Sequence, residues 1–120
     1  MQDFRNLKVW EKAHGLVLEV YRRTAVYPRD ELYGLVSQTR RAAVSITVNV
    51  AEGCGRGTDA DFARFLQIAL GSSLEVDALL LIARDLGHLP PGDYDDLLAR
   101  LSDVKRMLNA LLQKVRTQPS

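Results

Sequence analysis

The stretch from residue 31 to residue 53 is ELYGLVSQTRRAAVSITVNVAEG, and its periodicity predicts one long helix with three distinct faces. At 100° per residue, a polar stripe covers about 80° of the circumference. This stripe contains Gln38, Arg41, Ser45, Asn49 and Glu52. The two other faces are apolar and contain Leu32, Leu35, Val36, Ala43, Ile46 and Val50 on one side and Tyr33, Val44 and Ala51 on the other. A helix that is apolar on two sides needs two packing partners, which we expect to be its own core and another subunit.

The composition is typical of a single globular domain spanning residues 1–120. Hydrophobic residues make up 47% of the chain, which excludes a disordered protein. The net charge is +1, so attraction to nucleic acid must come from local patches. The single cysteine, Cys54, cannot form an internal disulfide, and the N-terminus lacks the pattern of a signal peptide. Without an apolar run of the ~20 residues that span a bilayer, we expect a cytoplasmic protein that does not bind membranes.

Three clusters of proline and glycine divide the chain, near Pro28, at residues 53–57 and at residues 87–92. The segments between them have helical periodicity, at about residues 7–25, 30–52, 59–86 and 93–115. Thr58 has the side chain of a helix N-cap, and Gly87 is suited to the position after a helix end. Four helices with short connections predict an all-α fold, an antiparallel up-and-down four-helix bundle.

The third helix adds Glu75 to the polar stripe. Small residues at 71–73, Gly-Ser-Ser, favour a close crossing of this helix with another one. Paired carboxylates such as Glu52 and Glu75 can perform acid–base chemistry, but nothing in the sequence places them beside a substrate pocket. We therefore favour a buried polar network at a subunit contact. Its candidate members are Gln38, Arg41, Ser45, Asn49, Glu52 and Glu75.

Other chemical motifs are weak. Glu11 and His14 have the Glu-x-x-His spacing of di-iron bundles, but such a site needs a second copy and two further glutamates. The glycine-rich residues 53–57 follow no strand and precede no Gly-Lys-Ser/Thr, which argues against a P-loop. Cys54 has no neighbouring histidine that would activate it. We expect no enzymatic activity, no metal and no cofactor.

Four segments carry a resemblance to a known family. They are F-x-x-L-x-V-W at residues 4–10, the Tyr27-Pro28 pair, the long stretch at residues 31–53 and A-x-G-S-x-x-E at residues 69–75. In these segments the chain resembles the bacterial four-helix-bundle proteins named after the intervening sequences of 23S ribosomal RNA genes. The resemblance implies a homopentamer and a role in nucleic-acid binding. A related group serves as accessory proteins of diversity-generating retroelements, which bind RNA and a reverse transcriptase.

Basic side chains lie on the outer faces of the first and last helices. The candidates for phosphate contact are Arg5, Lys8, Lys12, Arg22, Arg23, Lys105, Arg106, Lys114 and Arg116. In a symmetric oligomer each such patch is repeated, so the contacts add across subunits. We therefore expect a non-catalytic oligomer that binds RNA or DNA without groove-reading motifs or an aromatic stacking platform. A purely solvated surface and a protein–protein adaptor, docking a partner such as a reverse transcriptase, remain the alternatives.

Overall fold

A computed structural model describes residues 3–117 and consists of helices packed side by side. Within this range the α-helices are α1 (Lys8–Thr24), α2 (Ser37–Cys54), α3 (Asp59–Asp85) and α4 (Pro91–Thr117), and no strand occurs in it. Helices α1 and α3 each pack against both α2 and α4, which places α1 and α3 diagonally across the bundle. The body measures 49 × 23 × 20 Å. The predicted all-α fold with four helices is confirmed.

Contacts between the helices show which helix ends lie close together. Arg23 at the end of α1 binds Asp93 at the start of α4. The other end of the bundle brings together Leu7 before α1, Cys54 at the end of α2 and Leu111 near the end of α4, since all three line one cavity. The connection between α2 and α3, residues 55–58, is too short to run back along the bundle to a parallel helix.

The core forms where the apolar stripes of the four helices meet. The largest side chains in it are fully buried and include Leu16, Ile46, Leu66, Leu80, Leu97, Leu101 and Leu108. Burying one such side chain contributes about 1.5–3 kcal/mol. Their spacing of three and four residues along each helix explains why these segments fold as helices and why each has one side turned inward.

Two helix ends follow the sequence expectation. The Thr58 hydroxyl accepts a hydrogen bond of 3.2 Å from the backbone N–H of Asp61, which caps the start of α3. Gly87 follows the end of α3 with φ of 79°, a left-handed conformation that favours glycine. The next N–H, of His88, donates to the Ala83 carbonyl at 2.9 Å, as in a Schellman motif.

The prediction of one continuous helix from residue 30 is wrong. The chain instead forms a 3-10 turn at Arg29–Glu31, then a π-helical turn at Leu32–Val36, and α2 begins at Ser37. The break lies at Gly34, whose φ of −112° and ψ of −108° are not helical. A Cβ atom at this position would lie 3.1 Å from the Glu31 carboxylate, so glycine leaves room for that side chain.

The kink brings the α1–α2 connection against the α3–α4 connection. Glu31 Oε2 lies 3.0 Å from His88 Nε2, and the Tyr27 ring packs against the His88 ring with centroids 5.9 Å apart. Burial raises the pKa of Tyr27 to about 12, so its hydroxyl stays neutral. These contacts join residues that are far apart in sequence, 57 positions for Glu31 and His88, which explains why helical periodicity alone did not locate the kink.

Arg23 joins α1 to α4. Its guanidinium donates to Glu19 at 3.0 Å, to Asp93 at 2.8 Å and to Asp96 at 2.7 Å. Burial opposes its charge, but the hydrogen bonds to Glu19 and Asp96 prevail and raise the pKa of Arg23. Hydrogen bonds from Arg100 and from Arg23 hold the pKa of Asp96 below its usual value. This cluster therefore stabilises one end of the bundle.

We predict that Arg23→Gln lowers the stability by about 1–2 kcal/mol, because three charge-assisted hydrogen bonds disappear and three carboxylates are left together. The measurement is urea denaturation followed by circular dichroism. Arg22→Gln is the matched control, because Arg22 pairs only with Glu19 on the surface and should change stability by less than about 0.5 kcal/mol. Equal effects of the two substitutions would show that the Arg23 cluster does not contribute to the free energy of unfolding.

Gly53 is required by the close approach of α2 and α3. A Cβ atom there would lie 2.7 Å from Cδ1 of Phe62 and 3.1 Å from Cβ of Phe65, both on α3. At Gly15 of α1, by contrast, a Cβ would meet nothing within 4 Å. The glycine that ends the long motif at residues 31–53 is therefore a packing residue.

We predict opposite effects for two glycine substitutions. Gly53→Ala should destabilise the protein by about 1–3 kcal/mol, because the start of α3 must move to accept the methyl group. Gly15→Ala should stabilise it by about 0.5–1 kcal/mol, because alanine loses less backbone freedom on folding. Thermal melting of both variants checks this, and a stable Gly53→Ala variant would contradict the close approach.

Candidate nucleic-acid interface

Two of the predicted phosphate-binding cations are engaged between helices. Arg23 binds three carboxylates, and Lys105 Nζ donates to Asp77 of α3 at 2.7 Å. Both side chains are half-buried. A phosphate would have to displace these carboxylates, so neither residue offers an open charge.

Three further candidates have local carboxylate partners on the surface. Arg5 lies 3.2 Å from Asp3, Arg106 lies 3.1 Å from Asp103, and Arg22 pairs with Glu19. Exposed pairs of this kind contribute at most about 1 kcal/mol, so a phosphate can compete with them. These residues supply weaker attraction than a cation without a partner.

The remaining four candidates lie toward one end of the bundle, which we call the basic end. It consists of Lys8, Lys12, Lys114 and Arg116. All four are exposed, and none forms an ion pair with a carboxylate of residues 3–117. Lys8 and Lys12 lie in the first turns of α1, and Lys114 and Arg116 in the last turns of α4. The structure thus brings together cations that are about 100 positions apart in sequence.

A cavity of about 460 Å³ opens beside Lys114 at this end of the bundle. Its lining includes Arg56, which lies 3.2 Å from Glu52, and Asp59, whose carboxylate would repel an anion. Cys54 also lines it, but burial, with a smaller contribution from the Asp3 carboxylate, raises the pKa of the thiol. A neutral thiol is a poor nucleophile, so burial does not activate Cys54.

The predicted polar stripe is connected only at its centre. The hydroxyls of Ser45 and Ser72 are 2.8 Å apart across the α2–α3 contact, and Asn49 donates to the Ser45 carbonyl at 2.8 Å. Arg41 and Glu75 line one groove with Gln38 but form no ion pair with each other. Gln38, Arg41, Glu52 and Glu75 are exposed, so the single chain does not bury them.

Helix α3 presents an apolar face outward. This α3 face consists of Ile68, Gly71, Leu74, Ala78, Leu81 and Ile82, whose large side chains are between 40% and 61% exposed. By length and composition alone α3 could cross a membrane, although core helices of soluble proteins pass the same test. Of the small residues expected at a close helix crossing, Ser72 and Ser73 are buried, whereas Gly71 faces open space.

The structure also shows a group of aromatic side chains along α1. We did not predict it from the sequence, because we expected no aromatic stacking platform. Trp10, His14 and Tyr21 share one side of α1, Phe4 packs on Trp10 from the turn before the helix, and Arg40 of α2 covers Tyr21; we call these four residues the aromatic flank. The spacing of Trp10, His14 and Tyr21, with intervals of four and seven residues, could have revealed it. His14 stacks on Trp10 there instead of facing Glu11, and no cluster of metal-binding side chains occurs in residues 3–117.

Comparison with known proteins identifies the family. The sequence profile of the 23S rRNA-intervening sequence protein matches residues 5–110, so the chain belongs to that family. A crystal structure of a protein of unknown function from the S23 ribosomal protein family of Bacteroides thetaiotaomicron superposes with a TM-score of 0.81. The two share 18% identity, over 88% of this chain and 95% of the other, which supports the fold alone. No curated protein is significantly similar to the chain.

Proposed function

We propose that this member of the 23S rRNA-intervening sequence protein family is a non-catalytic homo-oligomer that binds RNA or DNA in the cytoplasm through its basic end. The observation that carries the proposal is the grouping of Lys8, Lys12, Lys114 and Arg116, exposed and without carboxylate partners within residues 3–117. Such cations can release condensed counterions from a phosphate backbone, which is the main source of non-specific nucleic-acid affinity.

Oligomerisation would allow a basic end of only four cations to bind nucleic acid. A single basic end offers few phosphate contacts, and the net charge of the chain is only +1. A cyclic assembly repeats the basic end in every subunit, so one nucleic-acid chain could contact several of them. Five subunits are preferred because the family resemblance implies a pentamer. No cofactor or metal is needed for this kind of binding.

The α3 face supports the homo-oligomer. It is apolar, and its small residues Gly71 and Ala78 would let a neighbouring helix approach closely. The adjacent groove carries Arg41 and Glu75, which have no ion-pair partner within residues 3–117 and could pair with a neighbouring subunit. Exposed apolar patches of this kind mark protein contacts.

A protein–protein adaptor is the second candidate function. Tyr33 is 92% exposed and lies in the same α1–α2 connection as the exposed Val26 and Leu32, at the end of the bundle opposite the basic end. The kinked turn at Leu32–Val36 presents Tyr33 there. This second apolar surface would suit a protein partner such as a reverse transcriptase.

We predict that the double substitution Lys8→Glu and Lys12→Glu weakens binding to RNA or DNA by at least about tenfold near 50 mM salt, because two attractive phosphate contacts per subunit become repulsive. The slope of log affinity against log salt should also become shallower, by ~0.9 for each phosphate of duplex DNA that the variant no longer neutralises. Electrophoretic shifts across a salt series provide the measurement.

The control for this experiment is Arg29→Glu with Arg84→Glu, which changes the net charge equally but at the end of the bundle opposite the basic end. Both side chains are exposed, and neither is among the candidates for phosphate contact. If the control weakens binding as much as the test variant, net charge alone governs affinity and the basic end is not a site. If the wild type binds neither RNA nor DNA at low salt, the adaptor becomes the preferred function.

We predict that Leu74→Glu dissociates the oligomer, because it places a charge in the centre of the apolar α3 face. In light scattering at micromolar concentration, the wild type should have a mass above the 13.4 kDa of the monomer, and the Leu74→Glu variant should have the monomer mass. Val26→Glu, at a more exposed apolar residue away from α3, should leave the assembly intact. A monomeric wild type would refute the proposed assembly.

A further inference from the structure

We propose that the aromatic flank of α1 is a stacking site for unpaired bases, so that the preferred ligand is single-stranded rather than duplex nucleic acid. The inference rests on the proposed function and specifies its ligand. Base stacking on exposed aromatic rings is the usual means by which proteins hold single strands without sequence preference. Duplexes keep their bases inside and cannot use such a surface.

The flank is a row of planar groups with a gap between His14 and Tyr21. The rings of Trp10 and His14 are stacked with centroids 4.9 Å apart and an angle of 11° between their planes. Phe4 meets the other side of Trp10 edge-on at 4.9 Å. Tyr21 lies two turns beyond His14, about 10 Å along the helix, and the Arg40 guanidinium covers its ring at 4.5 Å. The row therefore extends along most of α1.

The flank lies beside the core rather than in it. Val9, Leu16 and Val20 form the buried side of α1, whereas His14 is exposed and Tyr21 is 42% exposed. Trp10 is only partly buried, and it packs against the edge of the core. Covering the core explains the position of Trp10, but it does not explain why His14 and Tyr21 continue the row into solvent.

Charges on both sides of the row suit a nucleic-acid strand. Arg5 lies over the Phe4 ring at 4.5 Å and also pairs with the Asp3 carboxylate on the surface. At the other end, Arg40 is held by hydrogen bonds to the Thr24 hydroxyl and the Tyr21 carbonyl. Lys8 and Lys12 occupy the opposite flank of the same helix, toward α4. Bases could therefore stack on one flank of α1 while phosphates approach the other.

The single tryptophan makes this inference directly testable, since Trp10 fluorescence reports only on the flank. The probes are oligothymidylate of about 12 nucleotides, within the range of single-strand site sizes, and a blunt duplex of equal length. We expect the single strand to quench Trp10 fluorescence and to bind at least about tenfold more tightly than the duplex. The duplex should bind weakly through phosphate contacts and leave the fluorescence unchanged.

Variants of the flank separate stacking from charge. Tyr21→Ala and His14→Ala should each weaken single-strand binding by about tenfold, the effect of removing one stacked base, and should leave duplex binding unchanged. Tyr33→Ala, which removes an exposed ring outside the flank, is the matched control and should bind both probes normally. Circular dichroism establishes that each variant is folded.

The possible outcomes distinguish this inference from the proposed function. Equal affinity for both probes, without a change in Trp10 fluorescence, would overturn the stacking site and leave the basic end as the interface. Unchanged single-strand binding by both flank variants would also overturn it. Binding to neither probe would overturn the nucleic-acid function itself.

Discussion

The close packing of α2 against α3 is the constraint on which the rest of the structure depends. The two helices touch through small side chains, with the hydroxyls of Ser45 and Ser72 only 2.8 Å apart and Gly53 directly against Phe62 and Phe65. Small residues at a helix contact bury little apolar surface, so the larger side chains of α3 lie on either side of it. Some, such as Leu66 and Leu80, enter the core, while others, such as Leu74, face outward. The same constraint therefore creates both a tight helix pair and an apolar outer face.

The arrangement of the helices separates the surfaces that association and ligand binding would require. Because α1 and α3 are diagonal in the bundle, an assembly through the α3 face would leave both flanks of α1 open to solvent. Charge is divided within α1 in the same way. Arg23 is turned toward α4 and engaged by its carboxylates, whereas Lys8 and Lys12, on the same side of the helix but near its start, meet no carboxylate of residues 3–117. A net charge near zero thus conceals a local concentration of cations.

Features that depend on neighbouring residues could be predicted from sequence, and features that depend on distant partners could not. Thr58 and Gly87 mark helix ends through interactions within a few positions, and both act as expected. The kink at Gly34 depends on contacts such as that of Glu31 with His88, 57 positions away. The ion pair of Lys105 with Asp77 likewise depends on how α3 and α4 pack together. Among the predicted cations, sequence alone could not distinguish structural charges from open ones.

The composition of α3 shows why hydropathy by itself does not decide where a helix resides. Its length and apolar composition suit a membrane span, and only 39% of its most apolar 18-residue stretch is buried in the chain. Asp77 pairs with Lys105, and Ser72 pairs with Ser45, so the inward side of α3 carries polar groups matched to specific partners in α4 and α2. Those pairs hold α3 within the bundle and leave its outward side without a partner among the described residues. A neighbouring subunit would satisfy that side without disturbing either pair, whereas insertion into lipid as a separate helix would break both and leave their polar groups without hydrogen-bond partners.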